Sequence, residues 1–143
     1  MIRPIRVTAP NDRPVSVEDV RMNSYVDHYD DDPLLDVLID AAVSHLDGYT
    51  GTLGRCMVNQ SWRQDYHDWA WRFRLPFPDV SSVTITYQDA DNATQTVSSD
   101  DYEIIDDAQG SAVVFRDTFL EPSLYDDMVA PITVTMTAGY GTA

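Results

Sequence analysis

A cluster of carboxylates is the feature of this sequence most able to do chemistry. The stretch HYDDDPLLDVLIDAAVSHLDGYTG, residues 28–51, places five aspartates within its first thirteen residues. A calcium loop of the EF-hand type needs oxygen ligands at alternate positions and a glycine at the sixth position. A loop that starts at Asp27 has Tyr29 at its third position. A loop that starts at Asp30 has Leu34 at its fifth. Neither register fits, so the spacing does not predict a bound metal.

Nucleophilic and acid–base catalysis also has few candidates. The histidines at 28, 45 and 67 are far apart in sequence. The one cysteine, Cys56, can form neither an internal disulfide nor a thiolate metal cluster. The sequence has no nucleophile elbow, P-loop, dinucleotide-binding glycine motif or H-E-x-x-H zinc motif. We therefore expect no enzyme activity and no cofactor. A small hydrolase stays open as an alternative, and it would need a pocket that gathers a histidine with Cys56 or a serine.

The aspartates have a structural explanation as the start of a long helix. Those at positions 30–32 can cap a helix and interact with the positive end of its dipole, and Pro33 suits the first helical position. Gly48 or Gly51 is expected to end the helix. Apolar residues recur at three- and four-residue spacing and predict one buried face, formed by Leu35, Leu38, Ile39, Ala42, Leu46 and Tyr49. The opposite side carries Asp36, Asp40, Ser44 and Asp47.

A shorter helix and an extended arm precede the long helix. In PVSVEDVRMNSY, Ser16 is a predicted N-cap, and Asp19 three residues later comes close to a capping box. Residues 1–14 are rich in proline and arginine. We interpret them as an extended arm that is ordered only against a neighbouring protein.

After Gly51 the sequence changes to the period of two that is typical of strands. Short strands are predicted at 56–66, 71–75, 83–87, 94–97, 102–105, 112–115 and 132–137, with YHDWA as a hairpin turn between the first two. The length favours one domain at 15–143, with a helical part at 15–51 and a β part at 55–141. The predicted fold class is α+β: one short and one long acid-capped helix, then a mainly antiparallel sheet with hairpins.

Aromatic and arginine residues gather in the first predicted hairpin. The segment WRQDYHDWAWRFRLPFPD contains Trp62, Trp69 and Trp71 together with Arg63, Arg72 and Arg74. Tryptophan and arginine are enriched at the energetic centres of protein interfaces. The alternative is that these tryptophans all belong to the core. Because Trp69 falls in the predicted turn, we expect it to be poorly buried in an isolated subunit.

The charge balance limits the partners that this surface can bind. The net charge is −15, and every basic residue is an arginine. An acidic surface repels phosphate backbones, so ordinary groove binding to nucleic acid is disfavoured. One interpretation is solubility alone. Another is a wall past which nucleic acid moves without sticking, or a decoy for a basic protein. No apolar run has the length of a membrane helix, and we expect no membrane contact.

Taken together, several segments resemble a known family. They are VSVEDVRMNSYVDHYDDDPLLDVLIDAAVSHLDGYTG, QSW, LPFPDVSSVTITYQDADN, DYEI and TAGYG, which span the chain from about Val15 to Gly141. In this combination the chain resembles the head–tail connector, or adaptor, family of long-tailed bacteriophages and gene transfer agents.

The resemblance implies a structural role without catalytic residues or cofactors. Members form a ring, expected here to be dodecameric, under the portal of the filled capsid. The ring extends the DNA channel, lets DNA pass without specific binding, and docks the next neck or tail-completion protein. The chain would be made in the bacterial cytoplasm and lie in the neck of the virion. Candidate subunit or portal contacts are Arg3, Arg6, Trp62, Arg63, Trp69, Trp71, Arg72, Arg74 and Tyr140. Candidate channel-lining residues are Asp36, Asp40 and Asp47, with Asp100, Asp101, Asp106 and Asp107 as a second set.

Two further points stay open in the sequence. In the family, TAGYG is usually followed by another helical segment that contributes to docking on the portal, whereas here Thr142 and Ala143 follow. The assignment of a portal-facing side is therefore undefined. The alternative function is a free acidic protein that mimics DNA and blocks a basic partner, and it would need carboxylates spaced like phosphates on one face.

Overall fold

The structure, a computed structural model, describes residues 2–141 and has the predicted α+β fold. Its two helices are α1 (Val17–Asn23) and α2 (Asp32–Leu46). The strands in chain order are β1 (Ile5–Thr8), β2 (Gln60–Tyr66), β3 (Arg72–Arg74), β4 (Val80–Gln88), β5 (Thr94–Thr96), β6 (Tyr102–Asp107), β7 (Gly110–Phe115) and β8 (Ile132–Ala138). A 3₁₀ turn at Ser99–Asp101 precedes β6.

The larger sheet is built around β8. Five antiparallel strands lie in the order β1-β2-β8-β4-β5. Along β8, Ile132, Val134 and Met136 are buried, and the threonines between them are half-buried. This confirms the predicted alternation, which places one side of the central strand in the core.

The smaller sheet covers the apolar side of the larger one. Its three antiparallel strands lie in the order β3-β7-β6. The rings of Phe73 and Phe115 meet edge to face with centroids 5.4 Å apart, and both belong to the same core cluster as Ile132. The hydroxyl of Tyr102 in β6 donates to the backbone carbonyl of Val83 in β4 at 2.8 Å. The two sheets therefore share one hydrophobic core.

The hairpin predicted between β2 and β3 does not form. β2 pairs with β1 and β8 in the larger sheet, whereas β3 pairs with β7 in the smaller one. The connecting residues 67–71 cross from one sheet to the other. The prediction was wrong because local alternation marks a strand but does not specify which distant strand pairs with it.

The capping box of α1 is confirmed. The Oγ of Ser16 accepts a hydrogen bond from the N–H of Asp19 at 3.1 Å. The carboxylate of Asp19 accepts one from the N–H of Ser16 at 3.0 Å. Two backbone donors that the first turn would leave free are thus satisfied.

The start of α2 differs from the prediction. The helix begins at Asp32, so Pro33 is its second residue. Asp31 occupies the N-cap position, but its side chain makes no capping hydrogen bond. Its backbone is helical (φ −94°, ψ 0°), whereas a capping side chain reaches the first-turn N–H groups from an extended backbone. Asp32 instead lies 3.2 Å from Arg21 of α1, so this carboxylate helps to hold the two helices together.

The N-terminal arm is hydrogen-bonded to its own chain. β1 pairs with β2 as an edge strand, and the N–H of Ile2 donates to the carbonyl of Asp65 at 3.0 Å. The side-chain amide of Gln64 donates to the carbonyl of Ile2 at 3.1 Å. The expectation that the arm is ordered only against a neighbour is therefore wrong for these residues, because β2 offers a strand edge within the same chain.

The last two expectations concern the residues after Gly141 and the absence of a membrane-spanning helix. The question of a helical segment after Gly141 falls on Thr142 and Ala143, which lie outside the described residues. Among the described helices, none has both the length and the apolar character needed to cross a bilayer.

Candidate assembly surfaces

The outer side of α2 exposes a group of large apolar residues. Of the 15 residues of this helix only Ile39 is buried. Leu34, Val37 and Leu38 are 58%, 64% and 54% exposed, and Tyr29 just before the helix is 69% exposed. We call these four exposed residues the helix-tip patch: Tyr29, Leu34, Val37 and Leu38. Leu34, Val37 and Leu38 follow the three- and four-residue spacing of one helix face, and an exposed apolar group of this kind marks a candidate interaction surface.

The predicted buried face of α2 is only partly inside the chain. Leu35 and Leu46 are half-buried, as expected for that face. Leu38, Ala42 and Tyr49 are exposed, which corrects the prediction for these three. Periodicity identifies an apolar side of a helix, but it does not reveal whether the chain itself or another protein covers it. The spacing of Leu34 from Val37 and Leu38 was the signal that could have revealed the second, outward stripe.

The three helix aspartates proposed for the channel have different surroundings. Asp36 and Asp40 both pair with the guanidinium of Arg13, and the Asp40 contact is 3.1 Å. Asp47 at the end of α2 is half-buried and accepts from the N–H of Met57 and the side-chain amide of Gln60, each at 2.8 Å. Asp47 therefore holds the loop after α2 to β2.

A cleft lies between β1 and the C-terminal half of α2. Its volume is about 630 Å³, and Arg3, Ile5, Arg6, Asp40 and Asp47 contribute to its walls. Within residues 2–141, carboxylates pair with the arginines at positions 13, 21, 55, 63, 72 and 74. Arg3 and Arg6 make no such pair in the same part of the chain. The cleft thus holds two arginines and two carboxylates that make no direct ion pair with each other.

The three tryptophans do not form one surface. Trp62 is buried, at 8% exposure, and its ring centroid lies 4.9 Å from that of Phe77. Trp69 is half-buried against the core, so the expectation that it is poorly buried is wrong. Trp71 is the exposed one, at 71%. Trp69 packs against the core because residues 67–71 cross from one sheet to the other.

Three further arginines and the tyrosine proposed for contacts are bound to groups of their own chain. Arg63 pairs with Asp65 at 2.8 Å in the larger sheet. Arg72 and Arg74 both pair with Asp107, and the Arg74 contact is 2.8 Å. Tyr140 accepts a hydrogen bond from Arg55.

The second set of proposed channel acids divides into two pairs. Asp106 accepts a hydrogen bond from the buried hydroxyl of Ser111. Hydrogen bonds from Arg74, from the N–H of Gln109 and from Arg72 hold the pKa of Asp107 well below its ordinary range. Asp100 and Asp101 lie in the 3₁₀ turn, where their carboxylates make no hydrogen bond with any residue that the structure describes. They are the members of this set that remain free to repel or attract a ligand.

Cys56 is a core residue. Its side chain is 2% exposed and belongs to the main hydrophobic cluster. Burial, assisted by the charge of Asp47, raises the pKa of the thiol to about 12. A buried thiol that stays protonated is a poor nucleophile. The three histidines are all exposed, whereas Cys56 is buried, so this arrangement gives the hydrolase alternative no support.

Comparison with solved structures shows which known proteins share the fold of this chain. The sequence matches no protein-family model and no curated protein. A chain from the neck of an empty GTA particle, computed with C6 symmetry, superposes with a TM-score of 0.72 at 18% identity, over 99% of this chain and 73% of that chain. The fold is that of a chain in a gene transfer agent neck.

Two further structures agree with this result. A chain from the virion of a native gene transfer agent (GTA) particle gives a TM-score of 0.68 at 17% identity, over 99% of this chain and 74% of the other. A chain from the neck of a native GTA particle, computed with C12 symmetry, gives 0.62 at 18% identity, over 99% and 72%. The resemblance seen in the sequence is therefore confirmed at the level of the fold.

Proposed function

We propose that this chain is a structural component of the neck of a tailed phage or gene transfer agent. In this proposal it forms a ring under the portal, extends the DNA channel and docks the next neck or tail-completion protein. The observation that carries the proposal is the fold match to a GTA neck chain at a TM-score of 0.72 over 99% of this chain. The GTA neck structures were computed with C6 and C12 symmetry, which is consistent with a ring of identical copies.

The exposed helix supports an assembled state. A helix of 15 residues in a protein gains most of its stability from packing an apolar side, not from intrinsic propensity. α2 buries only Ile39 in its own chain and leaves the helix-tip patch in water. Contact with another protein would remove that apolar surface from water, and this is the driving force that the proposal requires.

The acidic composition supports passage of DNA. A ring multiplies the charge of −15 around a central hole. Fields from charges that line a narrow channel are focused there, but a Debye length of about 8 Å at physiological salt confines the repulsion to close approach. Such a wall would exclude tight contact with phosphates and still let the duplex move. Specific DNA binding is not part of the proposal.

The DNA-mimic alternative has weaker support. A mimic needs free carboxylates in a phosphate-like row on one face. Here Asp36, Asp40, Asp65 and Asp107 are each paired with an arginine. The free acids, such as those at 30–31 and 100–101, lie on separate elements of the fold. This distribution favours a structural neck component.

The decisive experiment is to delete the gene in the strain that makes the particles and to image the particles by electron microscopy. We expect filled heads without a complete neck or tail, and rescue when the chain is supplied from a plasmid. Cryo-electron microscopy of rescued particles should place the chain between portal and tail. Intact necks and normal DNA delivery from the deletion strain would rule out the proposed function.

A further inference from the structure

An exposed stripe runs along the whole length of α2. Its members are spaced by three or four residues, so they share one face of the helix. We call them the outer stripe, and all six are exposed: Leu34, Val37, Leu38, Ala41, Ala42 and His45. The buried Ile39 and the half-buried Leu35, Val43 and Leu46 lie on another side, toward the rest of the chain. The outer stripe is thus a second, unpartnered face of the same helix.

The shape of the outer stripe matches that of a second helix. From Leu34 to His45 it is about 16 Å long at 1.5 Å per residue, which is three helical turns. Large apolar side chains occupy its first half, and Ala41 and Ala42 occupy its second half. Small residues let the axes of two packed helices approach closely, within the usual range of about 8–10 Å. An apolar helix seated here would remove the stripe from water.

The border of the outer stripe is acidic. Asp36 and Asp40 lie along one side of it and share the single guanidinium of Arg13. Asp30 and Asp31, both exposed, precede its N-terminal end. Residues 13–47, which contain both helices, hold nine carboxylates and two arginines, a net charge of −7 with histidine neutral. Hydrogen bonds from neutral groups do not cancel these charges, so a partner with positive charge is attracted to this face.

A second copy of the chain offers no net-positive surface within residues 2–141 to cover the outer stripe. Each of its nine arginines has a different carboxylate beside it, in an ion pair, a shared cleft, a cross-strand row or the next position of the chain. These groups are Arg3 and Arg6 with Asp40 and Asp47, Arg13 with Asp36, Arg21 with Asp32, Arg55 with Asp79, Arg63 with Asp65, Arg72 and Arg74 with Glu103 and Asp107, and Arg116 with Asp117. Charge therefore favours a different protein as the occupant.

We propose that the outer stripe binds a basic amphipathic helix of a different neck protein. The inference rests on the proposed function, since it specifies the chemistry of one protein that this neck component docks. The bound helix turns its apolar side chains to the stripe and its lysine or arginine side chains to the acidic border. Burial of apolar surface supplies the short-range attraction, and the opposite charges orient the helix and speed its association.

Photo-crosslinking in assembled particles identifies the occupant. The deletion strain receives the chain with p-benzoylphenylalanine in place of Ala41, and mass spectrometry of irradiated necks locates the joined peptide. We expect a segment of a different protein, with apolar residues at helical spacing and more lysine and arginine than aspartate and glutamate. Leu38→Ser should lower the crosslink yield about fivefold or more. Leu120→Ser, which changes another exposed leucine on the loop before β8, is the matched control and should leave the yield unchanged.

Binding in solution tests the charge of the border without particle assembly. A synthetic peptide of the crosslinked segment should bind the purified chain one to one in fluorescence anisotropy. Asp30→Asn with Asp31→Asn should weaken binding about tenfold at low salt, and the difference should shrink as salt screens the charges. Asp126→Asn with Asp127→Asn removes the same charge from two exposed loop acids and should bind like the unaltered chain. Both double variants should keep the melting temperature of the unaltered chain.

Several results would overturn the inference. They are a crosslink from Ala41 to another copy of the chain, a crosslinked segment without excess positive charge, no crosslink in necks that contain the chain, and equal binding by the two double variants. All of these leave the proposed function untouched, because the chain is still found in necks. Purified necks that lack the chain would instead contradict the proposed function, and with it the inference.

Discussion

The indole N–H of Trp69 donates a hydrogen bond to the backbone carbonyl of Pro122 at 2.9 Å. This bond ties the crossing between the two sheets to the long loop before β8. The ring of Trp69 also contacts four aromatic side chains edge to face or stacked, namely Phe73, Tyr87, Phe115 and Phe119. Trp69 is therefore a structural residue that closes one end of the core.

Replacing Trp69 with alanine should lower the free energy of unfolding by about 3 kcal/mol, since it removes a large ring and leaves a cavity. Trp71→Ala is the matched control: its side chain is 71% exposed, and the change should cost less than about 0.5 kcal/mol. Urea denaturation followed by circular dichroism measures both. Equal stability of the two variants would show that Trp69 does not belong to the core.

The larger part of the fold could be predicted from the sequence because it depends on local patterns. Alternating residues in ITVTMT identify β8, and the capping box at Ser16 fixes the start of α1. Strand pairing and the burial of α2 could not be predicted in this way. β2 and β3 are close in sequence but belong to different sheets, and their partners are strands far along the chain. The helix residues of the helix-tip patch have the periodicity of a buried face, although they stay more than half exposed among residues 2–141.

Two of the segments that carried the sequence resemblance contribute closely packed residues to the structure. Phe77 of LPFP is 1% exposed, and its ring contacts Tyr49 of the helix end at 6.4 Å between centroids. Gly139 of TAGYG lies against the backbone of Val58 and Asn59. The resemblance therefore identified the fold, whereas the candidate contact surface on α2 came from the exposure of its side chains.

The substitution Gly139→Ala should destabilise the chain by several kcal/mol. Its φ is +138°, and an added Cβ would lie 2.6 Å from the backbone nitrogen of Asn59, where neither group can move aside easily. Gly54→Ala is the control, because its φ is +60° but no atom lies within 4 Å of an added Cβ. That change should cost only the left-handed backbone strain, about 1 kcal/mol. Similar melting temperatures for the two variants would mean that the contact at Gly139 is absent.

The two helix starts should respond differently to loss of their capping residues. Ser16→Ala removes a side chain that accepts from the N–H of Asp19 and should cost about 1 kcal/mol in the local stability of α1. Asp31→Ala removes no capping hydrogen bond and should cost less than about 0.5 kcal/mol. Amide hydrogen exchange of each helix measures these changes. A larger loss for Asp31→Ala would show that the side chain does cap α2 in solution.

The aspartate between two arginines should make the fold sensitive to acid. Hydrogen bonds from Arg74, from the Gln109 N–H and from Arg72 lower the pKa of Asp107 far below its ordinary value of 3.8. Because the pKa is lower in the folded chain than in the unfolded one, the carboxylate stabilises the fold above about pH 4. This stabilisation is lost as the pH falls from 3.8 through the folded value.

The variant Asp107→Asn should therefore be less stable than the unaltered chain at pH 7, and the difference should shrink as the pH approaches 2. Urea denaturation at several pH values measures this. Asp91→Asn is the control, because the Asp91 side chain is exposed and makes no ion pair among the described residues. A difference between Asp107→Asn and the unaltered chain that stays constant down to pH 2 would contradict the lowered pKa.

The channel proposal can now be tested with substitutions that spare the fold. Asp47, Asp106 and Asp107 are unsuitable, since each accepts hydrogen bonds that hold its own chain together. The pair Asp100→Arg and Asp101→Arg changes two carboxylates that are free among the described residues. For the helix set, Asp36→Arg and Asp40→Arg should be combined with Arg13→Asp, which keeps the local pairing of opposite charges.

If one of these sets faces the channel, its reversal should slow DNA ejection from the particles while the neck still assembles. Each new guanidinium can hold a phosphate, and counterion release makes that attraction weaken as salt increases. The delay should therefore be largest at low salt and disappear at high salt, where the Debye length falls to about 3 Å at 1 M. Ejection is followed by the fluorescence of a DNA-binding dye outside the particle. If both sets leave ejection unchanged at every salt concentration while necks form normally, these carboxylates face outward, and their contribution is limited to solubility.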